Sequence, residues 1–372
     1  MKLAELCEHL ERIAPPALAA EWDNVGLLAG DPAANVRQVL LAVDLTGAVL
    51  AEAISLSADL IVCYHPPIFE PVRRLRADSA GPAGQVFEAI RRGVAVYAMH
   101  TALDAAPGGT NDVLADVLGL DPARSRPIQP CEPATGYKLV TFAPADAVDV
   151  VANALFDAGA GRIGDYARCS FRVAGAGTFE GSAATSPAVG RAGRLERVDE
   201  VRLEVVVPTA RAAAAVAALR AAHPYEELAF DLYPLARLDE RVGLGRVGPL
   251  SEPATIDELV DRIKLGLGVE AIWLAAPPEA SSRPITIAAC GAGSGGSLCG
   301  AAVKAGAQFY LTGEVRHHDA LAAVDAGLAV AMVRHSVSER KALPRVAEGL
   351  AAAGGDVDVR VSGADADPFA WA

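Results

Sequence analysis

The chain is short of positive charge. Against 46 Asp and Glu it carries 33 Lys and Arg, a formal net charge of −13 over 372 residues. A phosphate backbone wants a basic stripe, so no nucleic-acid partner is expected. The local basic cluster Arg73, Arg74 and Arg76 reads as a solvated loop. Cysteine is sparse and scattered: Cys7, Cys63, Cys131, Cys169, Cys290 and Cys299 form no CxxC pair. A chain of this length needs no disulfide staples, and the thiols are read as reduced. No apolar run reaches the roughly 20 residues of a membrane span. The start, Met1 to Cys7, is amphipathic with an early acid, unlike a signal or transit peptide. A cytoplasmic protein without a membrane partner is expected. There is no GxSxG elbow and no Walker motif, which argues against a serine hydrolase and a P-loop enzyme. What is present is 52% apolar and 21% charged, the composition of a well-packed globular protein.

One stretch organises the rest: Cys63-Tyr64-His65-Pro66-Pro67-Ile68-Phe69. It follows the apolar run Leu60-Ile61-Val62, and prolines cannot continue a central strand. Tyr64 and His65 are therefore placed at a strand's C-terminal tip, where open α/β sheets bind ligands. Two later strands end alike. Val94 to Met99 runs into His100 and Asp104; Leu328 to Val333 runs into His335 and Glu339.

Apolar periodicity predicts a helix over Leu3–Ile13, then strand Val39–Asp44, helix Thr46–Ser57, strand Leu60–Cys63, helix Gln85–Arg92 and strand Val94–Met99. Glu21 to Leu27 reads as a loop, and Thr110 as the cap of a short helix. The last third repeats the order, ending with Leu328–Val333 as its final strand. Between the halves, Cys131 to Gly136 reads as a linker, followed by a β-α-β-β-α-β pattern of ferredoxin-like type. The expected fold class is α/β: two similar three-layer halves (1–131 and 237–372) facing a shared metal site, with an inserted ferredoxin-like α+β domain at 132–236. His223 in that insert reads as a helix-end cap.

Taken singly, His65 is a polar loop residue, Asp104 a turn stabiliser and Glu339 a first-turn acid favoured by the helix dipole. Together, at matching strand tips, His65, Asp104, His335 and Glu339 read as ligands of a divalent ion: Zn, Fe, Mn, Co or Ni. Gly291 to Gly296 has the form GxGxxG with Glu314 ending the next strand. It reads more readily as a phosphate or carboxylate site at a helix N-terminus than as a dinucleotide site. His317 and His318 follow the equivalent strand and are candidate proton carriers.

Glu21 to Leu27, Tyr64 to Phe69, His100 to Asp104, Thr312-Gly313-Glu314 and His335 to Glu339 together resemble the NIF-three-like dinuclear metal centre proteins. Members are commonly labelled type 2 GTP cyclohydrolase I homologues. The resemblance runs the length of the chain, including Gly161 to Tyr166 and His223-Pro224-Tyr225-Glu226. It implies a homohexameric ring, a trimer of dimers, with metals facing inward and PII-like inserts over the openings. It implies one metal at His65, Asp104 and Glu339, and a second at position 64, His335 and the shared Glu339. Histidine is usual at position 64. Tyr64 must lose a proton with an unperturbed pKa of about 10 before it ligates well, so a firm first site and a weaker second one are expected. The implied activity is a metal-dependent hydrolase acting on a purine nucleotide or related small molecule. The rivals are a non-enzymatic metal-binding scaffold or sensor, and a phosphoester or amide hydrolase at the same metals.

Overall fold

The computed structural model describes residues 1–131, 134–185, 187–236, 241–278, 280, 283–352, 354 and 356–370. The chain divides into two compact units, Met1–Cys131 with Leu238–Ala372, and Glu132–Arg237.

In the larger unit, α1 (Leu3–Ile13) leads to a short strand β1 (Gly26–Ala29). Strands β2 (Gln38–Ala42), β3 (Leu60–Cys63) and β4 (Ala95–Ala98) then alternate with helices α2 (Gly47–Ser55) and α3 (Pro82–Arg91). Helices α4 (His100–Ala105) and α5 (Thr110–Leu118) and a short β5 (Gln129–Pro130) follow. The smaller unit contributes β6 (Ala134–Pro144), α6 (Val148–Asp157), β7 (Phe171–Glu180), β8 (Leu195–Pro208), α7 (Ala212–Ala222) and β9 (Phe230–Ala236). The chain returns through β10 (Gly243–Leu244), β11 (Arg246–Ala254), α8 (Ile256–Leu267) and β12 (Trp273–Ala275). It continues with β13 (Ile285–Ser294), α9 (Cys299–Lys304), β14 (Phe309–Glu314), α10 (His317–Asp325) and β15 (Ala329–Met332). It ends with α11 (His335–Arg340), α12 (Leu343–Ala352) and β16 (Asp358–Val361).

The first sheet has the order β1-β4-β3-β2-β16, parallel except for β1. Side chains alternate across it, as strand geometry requires. Leu40, Ala42, Ile61, Cys63 and Val96 meet α2 and α3 on one face. Val39, Leu41, Leu60, Val62 and Tyr97 meet α1 and α12 on the other. The second sheet has the order β11-β13-β14-β15-β12, with β13, β14 and β15 parallel. Ala288, Cys290, Phe309 and Leu311 face α5 and α8; Ala289, Tyr310 and Val330 face α9 and α10. The two similar three-layer halves read from the sequence are both present.

The halves are interlaced. Helix α5, from the first part of the chain, covers the second sheet. Helix α12 and strand β16, from the last part, complete the first. Leu328–Val333 is therefore not the final strand: β16 follows it, pairing Val359 with Val39. The tail beyond β16 is bolted down, since Asp365 accepts the Val43 amide at 2.7 Å and an Arg340 N–H at 2.9 Å. Nor is Glu21–Leu27 all loop. Gly26 opens the edge strand β1, too short and too glycine-bounded for a period-2 pattern to show. Thr110 is not a cap either. Gly109 takes that place, and a Cβ there would lie 1.8 Å from the Leu103 carbonyl oxygen.

The smaller unit forms one antiparallel sheet of order β7-β8-β6-β9, with α6 and α7 packed through Val151, Leu155, Ala215 and Leu219. Of the segment read as a linker, Glu132 and Pro133 lie outside the described residues; Ala134 already belongs to β6. His223 caps α7 through its backbone, while its ring bonds the Phe142 carbonyl at 2.9 Å. No helix among the described residues is long and apolar enough to cross a membrane.

Candidate metal centre

Parallel strands end with their side chains at one edge, and two such edges meet here. His65 follows β3 and His335 follows β15, with ring centroids 5.4 Å apart. Glu339 lies one turn along α11 from His335, so its carboxylate returns to the same point. Its Oε1 is 3.1 Å from His335 Nε2, and its Oε2 is 3.3 Å from His65 Nε2. These three residues offer ligand atoms within 4.8 Å of one another. Glu339 is buried, and its Oε2 accepts no well-aligned hydrogen bond. A buried charged oxygen with only this long contact to His65 is costly, and a cation held between it and the rings would offset that cost.

Each imidazole is held from behind by a carboxylate. Asp44, after β2, lies 3.0 Å from His65 Nδ1. Glu314, at the end of β14, lies 3.1 Å from His335 Nδ1. This fixes the tautomer and turns Nε2 toward the shared point, as outer carboxylates do for metal-binding histidines. Asp23 treats His100 likewise at 2.7 Å. The carboxylates behind His65 and His335 were not read from the sequence, although a signal existed. Each sits at the tip of the strand adjacent in the parallel sheet to the one that carries its histidine.

The facing carboxylates also shift the titration of the two rings. Burial works against the His65 cation, but the hydrogen bond to Asp44 and the close Glu339 carboxylate overcome it and raise the pKa to about 10. The Glu339 hydrogen bond is the main cause of the rise at His335, to about 9. Burial pushes the Glu339 carboxyl up, yet the two histidines bring it below the ordinary carboxylate value.

Asp104 and Tyr64 are engaged with each other. Tyr64, fully buried, donates its hydroxyl hydrogen to Asp104 Oδ1. Burial and the neighbouring acids Asp104 and Glu339 hold the phenol well above its usual pKa. Desolvation chiefly, with the Glu339 charge adding to it against the Tyr64 bond, raises Asp104 to about 6. A neutral phenol that donates to a carboxylate offers little to an ion. The residues present therefore fit one cation among His65, His335 and Glu339.

His317 and His318 are not brought to this point. They open α10 beyond Glu314, are exposed, and contact each other with centroids 5.4 Å apart. The glycine run is not a phosphate loop. Gly291 to Ser294 belongs to strand β13, and the helix after it, α9, has only six residues. Gly293, at φ +61°, is needed because a Cβ would lie 2.7 Å from Glu339 Oε1. Glu314, the supposed acid of that fingerprint, is the partner of His335. Backbone strain gathers nearby: His100 and Arg334, which precedes His335, both have positive φ, 30° and 96°, an outlier pattern typical of functional sites.

Interlaced α/β halves with a His, His, Glu cluster at converging strand tips define a class: α/β proteins with a candidate divalent-metal site at the strand edge. The chain belongs to the Duf34/NIF3 (NGG1p interacting factor 3) family, whose model matches residues 1–368. It is 38% identical over 346 residues to a GTP cyclohydrolase 1 type 2 homolog of Halalkalibacterium halodurans, covering 91% of this chain and 90% of that one. The homolog of the same description from Bacillus subtilis is 35% identical over 372 residues, covering 99% and 98%. Among solved structures, a Bacillus cereus protein related to NIF3 superposes with TM-score 0.74 at 34% identity, covering 100% and 99%. A Staphylococcus aureus protein does so with TM-score 0.77 at 29% identity, with the same coverage.

Proposed function

We propose that this protein is a metal-dependent hydrolase of small molecules, with one firmly held divalent ion at His65, His335 and Glu339. The observation that carries the reading is the buried Glu339 carboxylate, its Oε2 accepting no well-aligned hydrogen bond, on whose two oxygens two carboxylate-braced imidazoles converge. The chemistry such an ion supplies is Lewis acidity, which acidifies water and polarises the bond under attack. His65 and His335 hold it through Nε2, Glu339 neutralises part of its charge, and Asp44 and Glu314 keep both rings aligned. Asp104, paired with Tyr64, is left as the weaker second position; Tyr64 is the residue that disfavours it.

The relatives' shared description as GTP cyclohydrolase 1 type 2 homologs supports a ring-opening hydrolysis, of a cyclic amide or amidine, over other reactions. The assembly is read as a homohexamer. Family membership supports this, as does β7, an exposed edge strand carrying Phe171 and Val173 that invites pairing. Turnover of GTP, cyclic amides and phosphoesters, measured with the ion present and after chelation, tests the function. Ion-dependent hydrolysis of a ring C–N bond is expected; activity equal in the chelated protein contradicts it.

A further inference from the structure

A cavity of about 510 Å³ opens beside the triad, within the size range of small-molecule sites. Its charge is lopsided. Asp44, Glu314 and Asp367 line it, against a single guanidinium, that of Arg334. That guanidinium is already turned to the protein: it lies 3.2 Å from Asp367 and donates to the Phe369 carbonyl. Asp367 in turn accepts from Ser336 at 2.7 Å, so this wall is a bonded structure rather than a loose tail. Trp273 and Phe369, both well exposed, contribute aromatic surface to the cavity lining.

Two consequences follow for a ligand. With Glu339 buried in the adjoining triad, four carboxylates stand against one guanidinium and, when loaded, one doubly charged ion, so the charge balance stays negative. Carboxylates also accept hydrogen bonds and donate none, so a ligand must bring its own donors. We infer that the site takes an uncharged, planar, donor-rich heterocycle of nucleobase or nucleoside size, laid against Trp273 and Phe369, and disfavours its phosphorylated forms. This rests on the metal-site reading above and adds the substrate class.

The guanine series isolates the charge, because the base stays constant from guanosine to GMP to GTP. Full-length protein loaded with zinc is dialysed to equilibrium against each at a fixed zinc excess, and zinc in the retentate is measured in the same samples. Affinity is expected to fall in that order, with guanosine at least tenfold tighter than GTP. Trp273→Ala should weaken guanosine at least fivefold with zinc content unchanged. GTP bound as tightly as guanosine, or no guanosine bound, overturns the inference. A protein that holds no zinc but keeps the order retains the cavity's selectivity and loses the metal reading. One that holds zinc and prefers GTP does the reverse.

Discussion

Tyr64 donates its hydroxyl hydrogen to Asp104, and on the proposed reading that bond keeps the carboxylate from serving a second ion. Replacing the phenol tests this in two directions. Tyr64→His supplies a neutral imidazole and frees Asp104, so ions held per chain should rise from one to two by elemental analysis after dialysis. Tyr64→Phe should still hold one. It leaves Asp104 without its donor and should cost about 1–3 kcal/mol in denaturant unfolding. A parent with two equally tight ions, both lost in Tyr64→Phe, would show that the tyrosine is a ligand.

Gly293 lies against the triad at φ +61°, with a Cβ position 2.7 Å from Glu339 Oε1 and 3.3 Å from His335 Nε2. Glu339 is flanked by His65 and His335, at 3.3 and 3.1 Å. Gly293→Ala should retain its circular dichroism spectrum, lose about 1–3 kcal/mol to backbone strain, and bind zinc at least tenfold more weakly. Unchanged zinc affinity would place the glycine outside the site's geometry.

Much of this was legible in the sequence, because two signals were local. Short apolar runs ending in His or in Pro-Pro marked the strands and their functional tips, and His335 with Glu339 follows from helical spacing. The interlacing was not legible. Whether Leu114 and Leu118 on α5 cover the sheet before or after them is decided by long-range packing, and an amphipathic helix carries no address. Strand β16 is four residues of mixed polarity, Asp358-Val359-Arg360-Val361, recruited by β2 at a distance of some 320 residues. The pairing of Tyr64 with Asp104 was likewise out of reach, since spacing gives proximity but not which of several acids a hydroxyl will choose.

The same β16 offers a pH test away from the triad. Glu52 on α2 accepts from the Ser362 hydroxyl and from the amides of Gly363 and Ala364 at 3.0 and 3.1 Å. The Ser362 bond foremost, with these amides, holds its carboxyl below the ordinary value. A depressed folded pKa contributes stability that is whole above the unfolded value, about 4.3, and is lost as pH falls through the folded one. Amide exchange of residues 358–364 should therefore speed up as pH drops below about 4, beyond the intrinsic pH trend. In Glu52→Gln it should be faster at pH 7 and lose that extra dependence. An identical profile in the variant would remove Glu52 from the latch.

The proposed ring assembly can be tested by sedimentation velocity at micromolar concentration. A species near six times 38.2 kDa is expected; a species of monomer mass contradicts it. A charge on the exposed face of β7, as in Val173→Asp, should shift the distribution toward smaller species if that edge takes part.

On the proposed reading, Glu339 is the charged ligand of the cation. The direct measurement is divalent-metal content per chain in protein purified, loaded with zinc and dialysed, for the parent and for Glu339→Gln. The amide keeps the shape of the side chain and removes the charge that both imidazoles face. One tightly held ion is expected in the parent and none in Glu339→Gln, with the variant still folded. An ion retained by Glu339→Gln, or a folded parent that retains none, would contradict it.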